Sequence, residues 1–260
     1  ATLTLTDANS TQHDGNYSVV VSNDFGSVES NDVEILVSDA LMNGLIGWWK
    51  FDETNGTVAY DSSGNSNDGS LTNGPTWTAG KIGGALNFDG IDDRIKIPHT
   101  MLDGKSFLTI SFWFKMNSSS VNTAAHYFIS GANVGNDNRF RLLIHSSLGL
   151  GKNDSEIKGS ITYASIESNS YWTSDWRKLT FVRSINGLQF YLNGNPTHLF
   201  SYTPSSLTIS ANGLWVGSDQ DSVAGGWETQ ESLQGKLDDY RIYDRALSAD
   251  EVQALHNLGQ

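Results

Sequence analysis

From Leu45 to Tyr243, apolar residues recur at every second position in short runs broken by Gly, Asn and Asp. That period of two sets side chains on opposite faces of β-strands, and turn residues at about 8–12-residue spacing are expected of a sandwich. The runs include GLIGWWKF, LTISFWFKM, HYFISG, FRLLIH, SITYAS, KLTFVRS, LQFYLNG, LWVGS and KLDDYRIYDR. One segment breaks the pattern. In LSADEVQALHNLG, Ser248 is placed to cap a first helical turn, Glu251 three residues on completes a capping box, and Gly259 sits where a helix stops. The pattern predicts an all-β, two-sheet antiparallel sandwich ending in a short helix.

Upstream, LTLT, NYSVVVSN and VEILV read as three further strands within residues 3–37. This segment differs chemically from the rest. Residues 1–39 hold seven acids and neither Lys nor Arg, and Ser38–Gly44 reads as a linker. Two parts are expected: residues 1–38, and a domain over 41–260.

With 260 residues the chain can bury a large core. It has no cysteine, which removes disulfides and thiolate chemistry. A formal charge of −13 repels phosphate backbones, so nucleic acid is not an expected partner. No apolar stretch approaches the roughly 20 residues that cross a bilayer, and membrane insertion is not expected.

The acids concentrate in two loops about eighty residues apart. GNDNRFRLLI places Asp137 and Asn138 just ahead of an apolar run. LWVGSDQDSVAGGWETQESLQG places Asp219, Gln220 and Asp221 after one, with Glu228 and Glu231 following. Hard cations take about six to eight oxygens, which these side chains and main-chain carbonyls supply, so the loops read as a calcium cage. Against this stands a simpler reading, since Asp and Asn favour turns because their side chains bond their own backbone. Asp52, Asp89, Asp92, Asp93, Asp238 and Asp239 are further acids, open to turn roles or to a second, structural cation.

Catalytic signals are poor. A retaining glycosidase needs two carboxylates about 5–5.5 Å apart, and no Glu-x-Asp-x-x-Glu string occurs. The histidines show no zinc spacing and no Gly-x-Ser-x-Gly partner, so they read as structural. Trp48, Trp49, Trp113 and Trp176 lie in apolar patterns and read as core. Tyr171, Trp172 and Trp227 lie in polar surroundings, where a large ring packs locally or stacks on a ligand. Arg139 and Arg141 flank the strand start, where they either fork onto sulfate or carboxylate or form a solvated strand face.

WWKFDE (48–53), DSSGNSNDG (61–69), ALNFDGIDDRI (85–95) and GKLDDYRIYDRALS (235–248) together resemble the laminin G-like family in its bacterial form. The resemblance implies a concanavalin A-type jelly roll. The two acidic loops look most like its pentraxin branch. That likeness implies calcium held by Asp137, Asn138, Asp219, Asp221, Glu228, Glu231 and the main-chain carbonyl of Gln220. Two positions depart from the branch: Asp219 replaces a Glu, and Glu231 replaces a Gln. DGNYSVVVSNDFGSVES resembles the last strands of a bacterial immunoglobulin-like domain, with Tyr17 at the tyrosine corner and Val19 where antibody-type domains carry a Cys. His13 stands where an acid is usual.

The expectation is a non-catalytic, calcium-dependent carbohydrate-binding module of a larger secreted or cell-surface bacterial protein. It would take an anionic or vicinal-diol polysaccharide and act as a monomer. A calcium-stiffened adhesive spacer, a polysaccharide-degrading enzyme of the same fold and a pentameric recognition protein are the alternatives.

Overall fold

A computed structural model describes residues 15–35, 41–117, 125–134, 140–145, 149–150, 174–201, 203, 205–220, 222–228 and 231–259. The chain divides into two compact units, Ala1–Asn43 and Gly44–Gln260. In the first, β1 (Gly15–Tyr17) is antiparallel to a later strand, β2 (Val20–Asn23) pairs with β3 (Gly26–Glu29), and β4 (Val33–Ile35) is the partner of β1. The β2–β3 hairpin is exposed along its length, leaving Val20, Val21, Phe25 and Val28 in solvent. The expected LTLT strand lies outside the described residues.

The second unit is a sandwich. Its strands are β5 (Leu45–Trp49), β6 (Val58–Ala59), β7 (Gly69–Thr72), β8 (Thr76–Ala79), β9 (Gly84–Asp89), β10 (Arg94–Lys96), β11 (Leu108–Met116), β12 (Ala125–Gly131), β13 (Phe140–His145) and β14 (Gly149–Leu150). They continue as β15 (Arg177–Ser184), β16 (Gly187–Leu192), β17 (Asn195–Phe200), β18 (Leu214–Val216) and β19 (Gln234–Tyr243). One sheet runs β14-β13-β12-β18-β10-β7-β6. The other runs β17-β16-β15-β11-β19-β9-β8, with β5 also paired to β19. Neighbouring strands are antiparallel. The architecture is the two-sheet sandwich that the alternation predicts, in the jelly-roll form that the resemblance implies.

Every second residue of facing strands meets between the sheets, which is why aromatic side chains fill the core. Phe112 of β11 stacks on Tyr240 of β19 at 4.9 Å and lies 4.7 Å from Phe128 of β12. Trp49, Phe88, Phe114, Phe140, Phe181 and Phe190 complete this layer. The helix α1 (Ala249–Asn257) has the predicted capping box: Ser248 Oγ accepts from the Glu251 N–H, while the Glu251 carboxylate accepts from the Ser248 N–H. Asp61 explains the DSSGNSNDG motif. Its carboxylate accepts from the N–H groups of Trp48, Ser63 and Asn67, and these bonds hold its pKa below the usual range although burial opposes them.

Two sequence readings require correction. Trp48 and Trp176 are half-buried, whereas Trp49 and Trp113 are buried. Trp113, in turn, lies on the outer face of its sheet beneath α1, 5.4 Å from His256. The cause for Trp48 is its register: it sits opposite Arg241, on the face away from the core.

That outer face is organised by a β-bulge. Ser111 pairs with Arg241 but Trp113 with Asp238, so β19 carries one extra residue, and Asp239 adopts φ 48°. Asp239 is nearly fully buried and accepts from Lys178 Nζ at 2.7 Å, Arg241 Nε at 2.9 Å and Trp48 Nε1 at 2.8 Å. Burial alone would raise its pKa, yet the two cations hold it below the usual carboxylate range. Asp238 is also fully buried, but among the described residues it accepts only from the Lys81 and Ile82 N–H groups, and burial pushes its carboxyl up to about 7.

Between the unfolded and folded pKa of Asp238, the native state keeps a proton that the unfolded chain has lost, so this group lowers stability as pH rises from about 4 to about 7. Asp238→Asn removes that loss. Its melting temperature relative to the parent should therefore be more favourable at about pH 8 than at about pH 4. A difference independent of pH would contradict the assignment.

Candidate functional site

The acidic loop after β18 folds back over the outer face of the seven-stranded sheet. Gly217 starts the reversal at φ 94°, where an added Cβ would meet the Phe88 ring at 2.5 Å. A short ladder then closes the loop at its base. Leu233 N–H donates to Gly217 O at 2.8 Å, Ser218 bridges Ser232, and Asp219 N–H donates to Glu231 O at 3.2 Å. The ladder sets Asp219 opposite Glu231, twelve positions apart in sequence.

Gln220 locks the loop from within. Its Nε2 donates to Gly213 O at 2.8 Å and to Ser130 O at 3.3 Å, and its Oε1 accepts from the Ala224 N–H at 3.0 Å. Ala224 has φ 53°, a left-handed conformation that costs about 1–2 kcal/mol for a non-glycine residue and is sustained here by that bond. Ser222 and Gly225 exchange backbone hydrogen bonds at the tip. The resemblance assigned Gln220 a main-chain role, and its side chain has a second one that sequence reasoning missed.

Asp219 is almost fully buried. Its Oδ2 accepts from Arg141 Nη1 at 2.6 Å, and Arg141 Nη1 also lies 3.3 Å from the Tyr127 hydroxyl. Burial raises the Tyr127 pKa, with further upward pushes from Asp219 and Glu231 and a downward one from Arg141. Two carboxylates, a phenol and a guanidinium therefore share one buried neighbourhood. Arg141 is turned toward Asp219, so part of its fork is already spent on a carboxylate of this chain. Glu228 is exposed on the same loop, with its carbonyl accepting from the Glu231 N–H.

Asp137, Asn138, Arg139, Tyr171, Trp172 and Asp221 lie outside the described residues. The residues on either side of the Asp137–Asn138 connection are described. Gly131 pairs with both Phe140 and Leu214, next to the Gly213 carbonyl that Gln220 grips.

Trp227 is half-buried and packs locally. Its ring meets Trp215 edge-on at 5.1 Å, and the Arg94 guanidinium stands 4.0 Å over it. Beside it, carboxylate oxygens of Asp89, Asp92 and Asp93 lie within 4.8 Å of one another, and burial followed by these charges raises Asp93 to about 6. Among the described residues this trio is the tightest set of potential metal ligands, and Ser232 Oγ ties it to the loop through Ile91 O at 3.0 Å. The clustering comes from the turn between β9 and β10. ALNFDGIDDRI shows three nearby acids, but not that the turn draws their carboxylates together.

Comparisons with known proteins agree with the fold. C-reactive protein 1.4 of Limulus polyphemus is 24% identical over 156 residues, which cover 57% of this chain and 60% of that protein. The chain thus spans about three fifths of the length of this relative. Among solved structures, domain 4 of the extracellular GH43 arabinanase AbnA from Geobacillus stearothermophilus, in complex with arabinotriose, superimposes with a TM-score of 0.56 at 22% identity. That match covers 82% of this chain and 98% of the domain. The binding domain of Paraclostridial Mosquitocidal Protein 1 gives 0.58 at 18%, covering 84% of this chain and 53% of that one. Trypanosoma rangeli sialidase with sialic acid gives 0.60 at 14%, covering 82% and 32%. At these identities the likeness is one of fold. The family model of the concanavalin A-like lectin/glucanases superfamily matches residues 88–253, more than half of the sequence, and the chain belongs to that superfamily.

Proposed function

We propose that the second unit is a non-catalytic carbohydrate-binding module that holds calcium in the loop after β18 and uses it to take an anionic or vicinal-diol polysaccharide. The observation that carries this reading is the gathering of Asp219 and Glu231 around Tyr127 on a loop pinned by Gln220, with Asp221 and Glu228 on the same loop. Carboxylates collected in a buried place repel one another unless cations offset them. Arg141 supplies one positive charge, and a divalent ion would supply the rest. Asp137, Asn138, Asp219, Asp221, Glu228, Glu231 and the Gln220 carbonyl are the oxygens we assign to it. Calcium with open coordination positions would accept sugar hydroxyls, carboxylate or sulfate directly.

The fold relatives support sugar binding at a coarse level, since the arabinanase domain and the sialidase were solved with sugars. The Limulus relative supports the pentraxin likeness. We assign Arg139, Tyr171, Trp172 and Trp227 to the rim that meets the glycan, with Trp227 already braced by Arg94. We further propose that residues 1–38 are the last strands of an immunoglobulin-like domain, whose exposed Val20, Val21 and Val28 need a covering layer. The whole would work as a monomeric segment of a secreted or surface bacterial protein.

Millimolar calcium should raise the melting temperature by about 5 °C or more, as binding to the native state alone requires. The double variant Glu228→Gln, Glu231→Gln should lose most of that rise in differential scanning fluorimetry. Retention on immobilised pectate or sulfated galactan should vanish in chelator, and retention unchanged by chelator would contradict the reading. Arg141→Ala leaves Asp219 buried without its partner and should cost about 3 kcal/mol in urea unfolding with chelator present. Calcium should restore part of this loss; an equal loss with and without calcium would argue that no ion neighbours Asp219.

A further inference from the structure

We propose that the eight-stranded sheet carries a second, calcium-independent binding cleft for a neutral oligosaccharide, formed by two cavities that meet at Asp52. The first, of about 320 Å³, is walled by Trp48, Lys50, Asp238 and Arg241. The second, of about 540 Å³, is walled by Glu53 and Trp77. Both fall within the about 300–1,000 Å³ of small-molecule sites.

The acceptors set the ligand chemistry. Asp238 is fully buried, yet among the described residues its Oδ1 has no hydrogen-bond partner, and the residue lines the first cavity. Its other oxygen is held by the Lys81 and Ile82 N–H groups at 2.7 and 2.8 Å, which fixes the carboxylate plane. Glu53 repeats the arrangement in the second cavity: Oε1 accepts from the Tyr60 N–H, while Oε2 is buried with no partner among the described residues. Asp52 stands between them, with Oδ1 accepting from the Gly84 N–H. Buried acceptors of this kind cost stability unless a donor reaches them.

An anion is disfavoured by Asp52, Glu53 and ionised Asp238, which outnumber Lys50 and Arg241, the latter already paired with Asp239. A bound metal would meet the positive charges of Lys50 and Arg241, which line the first cavity. An amine meets Lys50 and Arg241, whose charges stand 4.4 and 4.2 Å from the Trp48 ring. Hydroxyl groups suit all of these neighbours. They can donate to Asp238 and Glu53 and accept from Lys50 and Arg241, while the saturated ring lies along the indoles of Trp48 and Trp77. The walls are set before any ligand arrives, because Trp48 Nε1 is bonded to Asp239 and Trp77 Nε1 to Gly56 O at 3.1 Å.

The test is titration of the whole chain, in chelator at about pH 8, where Asp238 is ionised, with arabinotriose, xylotriose and cellotriose at millimolar concentration, followed by calorimetry and by the indole N–H resonances of Trp48 and Trp77. At least one trisaccharide should bind saturably and shift those resonances. Asp238→Asn presents an amide donor where an acceptor is needed and should weaken binding at least about tenfold. Glu53→Gln supplies an independent variant should Asp238→Asn not fold. The Glu228→Gln, Glu231→Gln variant should bind as the parent does, which separates this cleft from the calcium loop. No saturable binding by any of the three sugars would overturn the proposal. So would binding that requires calcium, or binding that both cleft variants leave unchanged.

Discussion

The side-chain amide of Gln220 is the contact on which the acidic loop depends. Fully buried, it satisfies the Gly213 and Ser130 carbonyls with one end and the Ala224 N–H with the other, so three backbone groups from three chain segments are fixed by one residue. Removing it would leave buried carbonyls unpaired at about 1–3 kcal/mol each and release the left-handed turn at Ala224. The reversal at Gly217 and the ladder to Leu233 then set Asp219 against Glu231. The loop is thus held at its base and at one internal point.

The opposite sheet solves a different electrostatic problem. A bulge at Asp239 brings two successive carboxylates to one face. Only one of them is neutralised: Lys178 and Arg241 converge on Asp239, while Asp238 relies on backbone N–H groups. Burying Lys178 lowers its pKa, and the ion pair with Asp239 opposes that shift. The two faces of the sandwich thus hold acids in contrasting states, one group paired with arginine on a loop, the other half-satisfied beneath tryptophan.

Strands and helix were legible because burial demands period-two alternation and the capping box is a local device, complete within Ser248–Glu251. That Asp219 and Glu231 share one loop was legible, but not the ladder that sets them opposite one another. Other features depend on contacts between distant segments. In KLDDYRIY the paired acids interrupt the alternation between Leu237 and Tyr240, at the bulge, but nothing local announces the distant partners that hold Asp238 and Asp239, and Trp48 reads as core although its register turns it outward. Arg141 reads as a forked donor available to a ligand, yet its partner Asp219 lies 78 positions away. The stacking of Arg94 on Trp227 joins β10 to the loop and has no sequence signature.

The proposed calcium site requires one divalent ion to be held jointly by the two acidic segments. Crystals grown in calcium, with anomalous difference maps collected at long wavelength, test this most directly. A peak coordinated by Asp219 and Glu231 on one side and by Asp137 and Asn138 on the other is the predicted result. A map without a peak there at millimolar calcium, or with ordered calcium only at the Asp89–Asp93 turn, would contradict it.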